Sequence, residues 1–192
     1  MVLTAVILAA GPLLAQATPL PISAPSPDVE RAKAAARALT TELMGRLTRE
    51  LAAGGPTQAV RVCSEVAQEI ARAHSTDGVT VRRVSVKWRN PADRPDAYEA
   101  EQLARFEAAH RAGQPLADLV QWVEVGSTRT LRLLRPIVVG KACLACHGEP
   151  AALDPAVRKL LAERYPNDHA TGYREGDFRG AVSVSVTEAG PH

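Results

Sequence analysis

The residues with the clearest chemical spacing lie in KACLACHGEP, residues 141–150, which contains Cys143-Leu144-Ala145-Cys146-His147. Two thiols separated by two residues and followed at once by an imidazole match C-x-x-C-H, the pattern of covalent c-type haem attachment. The spacing has a mechanical reason. The thiols form thioethers to the two haem vinyl groups, and the next histidine reaches the iron as proximal ligand. One such motif occurs, so the expectation is one covalently attached haem c, on Cys143 and Cys146, with His147 on the iron. A thioredoxin-type dithiol would want a strand–motif–helix unit and does not need the histidine. A structural zinc site wants four ligands, usually from two such pairs. A disulfide across so short a loop would be strained.

The second open position is Cys63, the remaining cysteine of the chain. It stands with Val60, Val66, Ala67 and Ile70 on one face of TQAVRVCSEVAQEIARAH, so it is expected to face inward. An odd thiol in an exported protein calls for an explanation. It is either a ligand to a buried cofactor or an inert core cysteine, and spacing alone leaves both open. The other candidates for the far side of the iron are Met44, His74, His110 and His169. Met44 reads as core filler on an apolar helix stripe, and His74 as a partner of its helix end. His110 lies near a helix end, and His169 in a polar loop.

Several elements must position these residues. A helix is expected over Val29–Ala52, where Leu39, Leu43, Leu47 and Leu51 form an apolar stripe, stopped by Gly54-Gly55-Pro56. A second helix follows from Thr57. VTVRRVSVKW reads as a strand with a slip, or a bulge, at Arg82-Arg83. Asp96 caps a helix carrying Tyr98, Leu103 and Phe106. Strands follow at Leu119–Gly126 and Thr128–Gly140, joined by a turn at Gly126-Ser127. After the motif come a short helix over PAVRKLLAERYP, the polar loop NDHATGYREGDFRG and the strand Ala181–Val186. This order implies an α+β fold with an antiparallel sheet.

Composition narrows the function further. The formal net charge is +2, and basic residues interleave with acidic ones. No aromatic-studded basic stripe exists, so nucleic-acid binding has no support. Aromatics are 4% of residues, thin for a core of this size and compatible with a large apolar cofactor filling part of it. The N-terminus reads as a signal peptide over residues 1–17, with a short apolar run that ends at the A-x-A-like Ala15-Gln16-Ala17. No Lys or Arg precedes that run. A Pro- and Ser-rich linker is expected over 18–28, with the domain over 29–188. The expected location is the periplasm, with membrane contact only if the N-terminal segment is retained.

Four blocks of the chain, AVRVCSEVAQEIA, VRRVSVKWRNPADRPDAYE, PIVVGKACLACHG and YPNDHATGYREGDFRGAVSVSV, resemble a family of single-haem c-type cytochromes formerly known as a domain of unknown function. The resemblance runs from about Val29 to Val186. Members of that family are exported proteins or the sensor parts of histidine kinases. The resemblance implies a PAS-like central antiparallel sheet flanked by helices, with a long N-terminal helix. It also implies an iron held by His147 and by Cys63 of the upstream helix. It places Arg82, Arg83, Lys87 and Arg89 near the haem pocket, with Arg83, Lys87 and Arg89 as the candidate propionate partners; Tyr165 and Tyr173 are weaker candidates. The chain departs from the family pattern at Trp88 and Asp93, a departure expected to touch the loop and not the ligands.

A thiolate is a strong donor that favours ferric iron. A redox or gas sensor in which Cys63 moves is therefore the leading expectation, and a plain electron-transfer protein the alternative. A sensor of this kind would take a diatomic gas as candidate ligand and speak to a separate signalling protein. A carrier would meet a redox partner instead, and the sequence identifies neither protein. An enzyme would need an open distal side with an acid–base pair. No H-x-x-R-like pair stands beside the motif, so no catalytic activity is expected.

Overall fold

The computed structural model describes residues 26–125 and 128–187. The expected signal segment, the linker up to residue 25 and the Gly126-Ser127 turn lie outside the described residues.

Helix α1 spans Pro27–Arg61. Ser26 caps it by accepting from the Val29 N–H, and Asp28 and Glu30 stand in its first turn, where carboxylates suit the helix dipole. The expected break is present as a kink. Gly54 (φ −146°) and Gly55 (φ +69°) leave helical geometry, and Pro56 reopens the helix. A π-helical turn, Val62–Val66, follows directly and leads into α2, Ala67–Ala73. Among the described residues no helix is long and apolar enough to cross a membrane.

The sheet contains β1 (Val79–Val84), β2 (Leu119–Val125), β3 (Thr128–Val138) and β4 (Phe178–Thr187). Its order is β1-β4-β3-β2, antiparallel throughout. Helices cover both faces. On one, Val81, Leu131, Leu133, Val182, Val184 and Val186 pack under Ala32, Ala36, Leu39 and Ile70 of α1 and α2. On the other, Val84, Leu134, Phe178 and Ala181 meet Leu103 of α3, Ala97–Arg111. Each fully buried leucine here contributes about 1.5–3 kcal/mol of transfer free energy. The α+β architecture, the antiparallel sheet and the long N-terminal helix are as the sequence implied.

The two-faced sheet corrects one expectation. The slip at Arg82-Arg83 is no bulge, because β1 pairs with β4 in unbroken register from Val79↔Val186 to Val84↔Ala181. Instead the apolar residues change sides: Val81 belongs to the α1 face and Val84 to the α3 face. Val86, expected to continue the strand, lies beyond its end and is exposed. Arg82 turns to the α3 face, where it pairs with the buried Glu99. Ser183 donates to that carboxylate at 2.7 Å, and Arg132 stands 3.1 Å from it. Glu99 also closes the capping box with Asp96, which starts α3 as anticipated.

The irregularity of the sheet lies elsewhere. Ile137 pairs with Gly180 and Val138 with Phe178, so Arg179 is an extra residue in β4. The extra residue brings Phe178 to the α3 face beside Ala181. Gly180 takes φ +142°, and a Cβ there would lie 2.3 Å from the Val84 carbonyl oxygen. Only glycine permits that approach.

Candidate functional site

At the bulged end of the sheet the α1 layer opens into a cleft of about 1150 Å³, measured out to its mouth. Leu39, Leu43, Leu47 and Leu51 form one wall, continued past the kink by Ala59 and Val60. Ile137, Val139 and Val182 form the floor, and Cys143, Cys146 and His147 the opposite wall. The leucine stripe thus serves two purposes: its first half is core, and all four residues line the cleft. Met44 also lines it and is 44% exposed, so it is not the core filler its stripe suggested.

The motif is a short helical stretch, with a 3-10 turn over Lys141–Cys143 and α4 over Leu144–His147. Helical spacing sets Cys143 and Cys146 on one face, three residues apart. Both are half-buried. Gly148 ends the stretch, and a Cβ on it would sit 2.7 Å from the Leu144 carbonyl oxygen. Its smallness therefore serves the cap.

The loop after α5 (Pro155–Arg164) fixes the motif from behind. The Tyr173 N–H donates to the His147 carbonyl at 3.0 Å, and the Gly172 N–H to the Gly148 carbonyl at 2.9 Å. The His147 Nδ1 lies 2.7 Å from the Ala170 carbonyl oxygen, so the ring donates there. That bond leaves the Nε2 lone pair as the free acceptor, the tautomer a metal-binding histidine needs. Burial, followed by the Arg89 and Arg179 cations, holds the His147 pKa well below the ordinary imidazole value, so the ring is neutral.

Arg89 is 4% exposed and joins three segments. Its Nη2 donates to the Cys146 carbonyl at 2.6 Å and to that of Ala170 at 3.4 Å, and its Nε to Asp168 Oδ2 at 3.0 Å. Arg83 also lines the cleft and donates to Asp93 Oδ2 at 3.2 Å. Asp93, one of the two expected departures from the family pattern, lines the cleft as well and clamps Arg83. Gln68 of α2 supports it, donating at 3.0 Å. Trp88, the other departure, sets its ring edge-on to His169 at 4.8 Å. Lys87 does not line this cleft. Its Nζ donates to the Thr171 carbonyl at 2.7 Å and sits 4.2 Å over the Tyr173 ring. Tyr173 stands edge-on to His147 at 6.3 Å, and Tyr165 is buried against Val60 and Cys146.

Sequence reasoning missed Arg179. It lines the same polar end as Arg83 and Arg89 and has no carboxylate partner among the described residues. Its Nη1 donates to Ser85 Oγ at 2.7 Å and to the Lys87 carbonyl at 3.1 Å, while Ser85 Oγ donates to the Arg179 carbonyl at 2.8 Å. Burial above all, together with the Arg83 and Arg89 cations, lowers its pKa. A slot with apolar walls, a neutral histidine and a cationic end suits a flat apolar group that carries anionic substituents.

Of the alternative iron ligands, His74 Nε2 lies 2.7 Å from Glu42, and His110 is in the last turn of α3. Neither lines the cleft. Cys63 lies in the π-helical turn one turn beyond Ala59 and Val60, and the Ala67 N–H donates to the Val62 carbonyl five residues back. The expectation that Cys63 faces inward concerns a side chain outside the described ones.

An α+β chain with a C-x-x-C-H motif walling an apolar cleft is a narrow class. The chain belongs to the Tll0287-like family, whose model matches residues 23–187. Among solved structures it is similar to one described as the crystal structure of the cyanobacterial heme-protein Tll0287. The two share 27% identity with a TM-score of 0.65, over 88% of this chain and all of the other. No curated protein matches the chain.

Proposed function

We propose that this chain is an exported, non-enzymatic haem protein that senses redox state or a diatomic gas. One haem is joined to Cys143 and Cys146, with His147 and Cys63 as iron ligands. The observation that carries the haem reading is the His147 ring. It walls an apolar cleft beside Cys143 and Cys146 and has its Nδ1 engaged by the Ala170 carbonyl. Membership in a family with a solved heme-protein supports it. Export rests on the apolar run and the A-x-A-like site of the N-terminus. When bound, haem supplies a one-electron couple and an iron that a small gas can reach.

The chain's own residues do the rest. Arg83, Arg89 and Arg179 offer charge-assisted donors for the propionates. Lys87 drops out of that set, since it lies outside the cleft lining. His147 presents one lone pair in a fixed tautomer. Cys63 as a thiolate ligand would favour the oxidised state, and a protonated thiol would be a weaker ligand. Its place in a π-helical turn just after the Gly54-Gly55-Pro56 kink favours the sensor reading, because such turns offer a second backbone arrangement. The second reading is an electron carrier. It draws on the apolar mouth of the cleft, where Met44 and Val138 are exposed and could meet a redox partner.

Adding carbon monoxide to the reduced protein separates the two. A sensor with a releasable Cys63 binds it, and the absorption spectrum shifts. Reduced protein that excludes carbon monoxide as long as Cys63 is present, and accepts it in Cys63→Ala, would leave the carrier reading standing.

A further inference from the structure

A second cleft, of about 1330 Å³ out to its mouth, lies between the end of β1, α3 and the start of β4. It meets the first only at Ser85, Arg179 and Gly180, which line both. Its charges do not balance. The carboxylate of Glu107 is taken by Arg111 at 2.8 Å. Asp177 uses one oxygen to accept from the Arg174 N–H at 2.7 Å. His110 stands on the lining without an acidic partner among the described residues. Lys87 and Arg179 both lie against the Tyr173 ring, at 4.2 and 5.3 Å from its centroid. Neither is in an ion pair with a carboxylate among the described residues; the Lys87 ammonium donates to Thr171, and Arg179 donates to Ser85, the Lys87 carbonyl and the Tyr173 hydroxyl.

Both cations line the cleft, and a carboxylate bound there would accept charge-assisted hydrogen bonds from them. The lining also includes the apolar Val86, Leu103, Ala104 and Phe178. We propose that this second cleft binds a small organic carboxylate. Its carboxylate sits against Lys87 and Arg179, and its apolar body lies toward Leu103, Ala104 and Phe178. The site shares Arg179 with the C-x-x-C-H cleft, whereas Lys87 belongs to the second cleft alone.

Isothermal titration of the full chain with benzoate, near neutral pH in buffer free of other carboxylates, tests the assignment. The expected result is saturable binding at a single site, with affinity reduced at least about tenfold in Lys87→Gln through loss of a charge-assisted bond. Ala104→Trp, which fills the cleft from an exposed helix position, is expected to weaken binding comparably. Benzylamine, of the same shape and opposite charge, should give no binding heat. Absence of benzoate binding would overturn the proposal, as would unchanged affinity in both variants or equal binding of benzylamine. Acetate binding as tightly as benzoate would overturn the apolar half of the site.

Discussion

His147 Nδ1 lies 2.7 Å from the carbonyl oxygen of Ala170, a residue 23 positions later in the chain. This contact sets which nitrogen of the ring carries the proton and which stays free. It depends on the loop before β4, so that loop is part of the site although it contributes no proposed ligand.

The same loop is anchored by Arg89. Replacing Arg89 with Gln removes donors to Cys146, Ala170 and Asp168 and leaves the Asp168 carboxylate largely buried without its cation. Breaking a buried pair from one side costs about 3–5 kcal/mol. Urea unfolding should show a midpoint lowered accordingly, and the variant should retain less haem. A midpoint equal to that of wild type would remove Arg89 from this role.

Gly180 should tolerate no side chain. Its φ of +142° and the 2.3 Å approach of a Cβ to the Val84 carbonyl oxygen make Gly180→Ala strained by about 1–3 kcal/mol or more. Thermal melts of wild type and variant measure the loss. The spectrum should change as well, because the bulge that Gly180 shares with Arg179 sets the cationic end of the cleft.

His147 gives the apo chain a pH dependence of definite sign. Its folded pKa is lowered, chiefly by burial. Above the ordinary imidazole value of 6.5 the ring is neutral in both states and pH has no effect through it. As pH falls below 6.5 the unfolded chain takes the proton first, and stability falls until the folded pKa is reached. Urea midpoints of the chain without haem should drop between about pH 7 and 5, and by less in His147→Gln. Equal drops would show that His147 does not contribute.

What the sequence made legible was mostly local. The Asp96 cap, the Gly54-Gly55-Pro56 break and the leucine stripe are written in residues close to one another in the chain, and each appears where its chemistry puts it. The C-x-x-C-H segment could be read for the same reason. Arg179 was not legible. It enters the cleft because β4 carries one residue too many against β3, and that register depends on a partner strand some forty residues away. The change of face between Val81 and Val84 looked like a slip because a sheet covered on both sides shows no simple alternation. Lys87 and Arg89, two residues apart, read alike in sequence, yet one lies on the outside over Tyr173 and the other is buried behind the motif.

The central claim is that one haem is held between His147 and Cys63. Ferric electron paramagnetic resonance of the haem-loaded protein tests it most directly, comparing wild type, Cys63→Ala and Met44→Ala. The account predicts a low-spin thiolate signature in wild type that is kept in Met44→Ala and lost in Cys63→Ala. An unchanged signature in Cys63→Ala would contradict it.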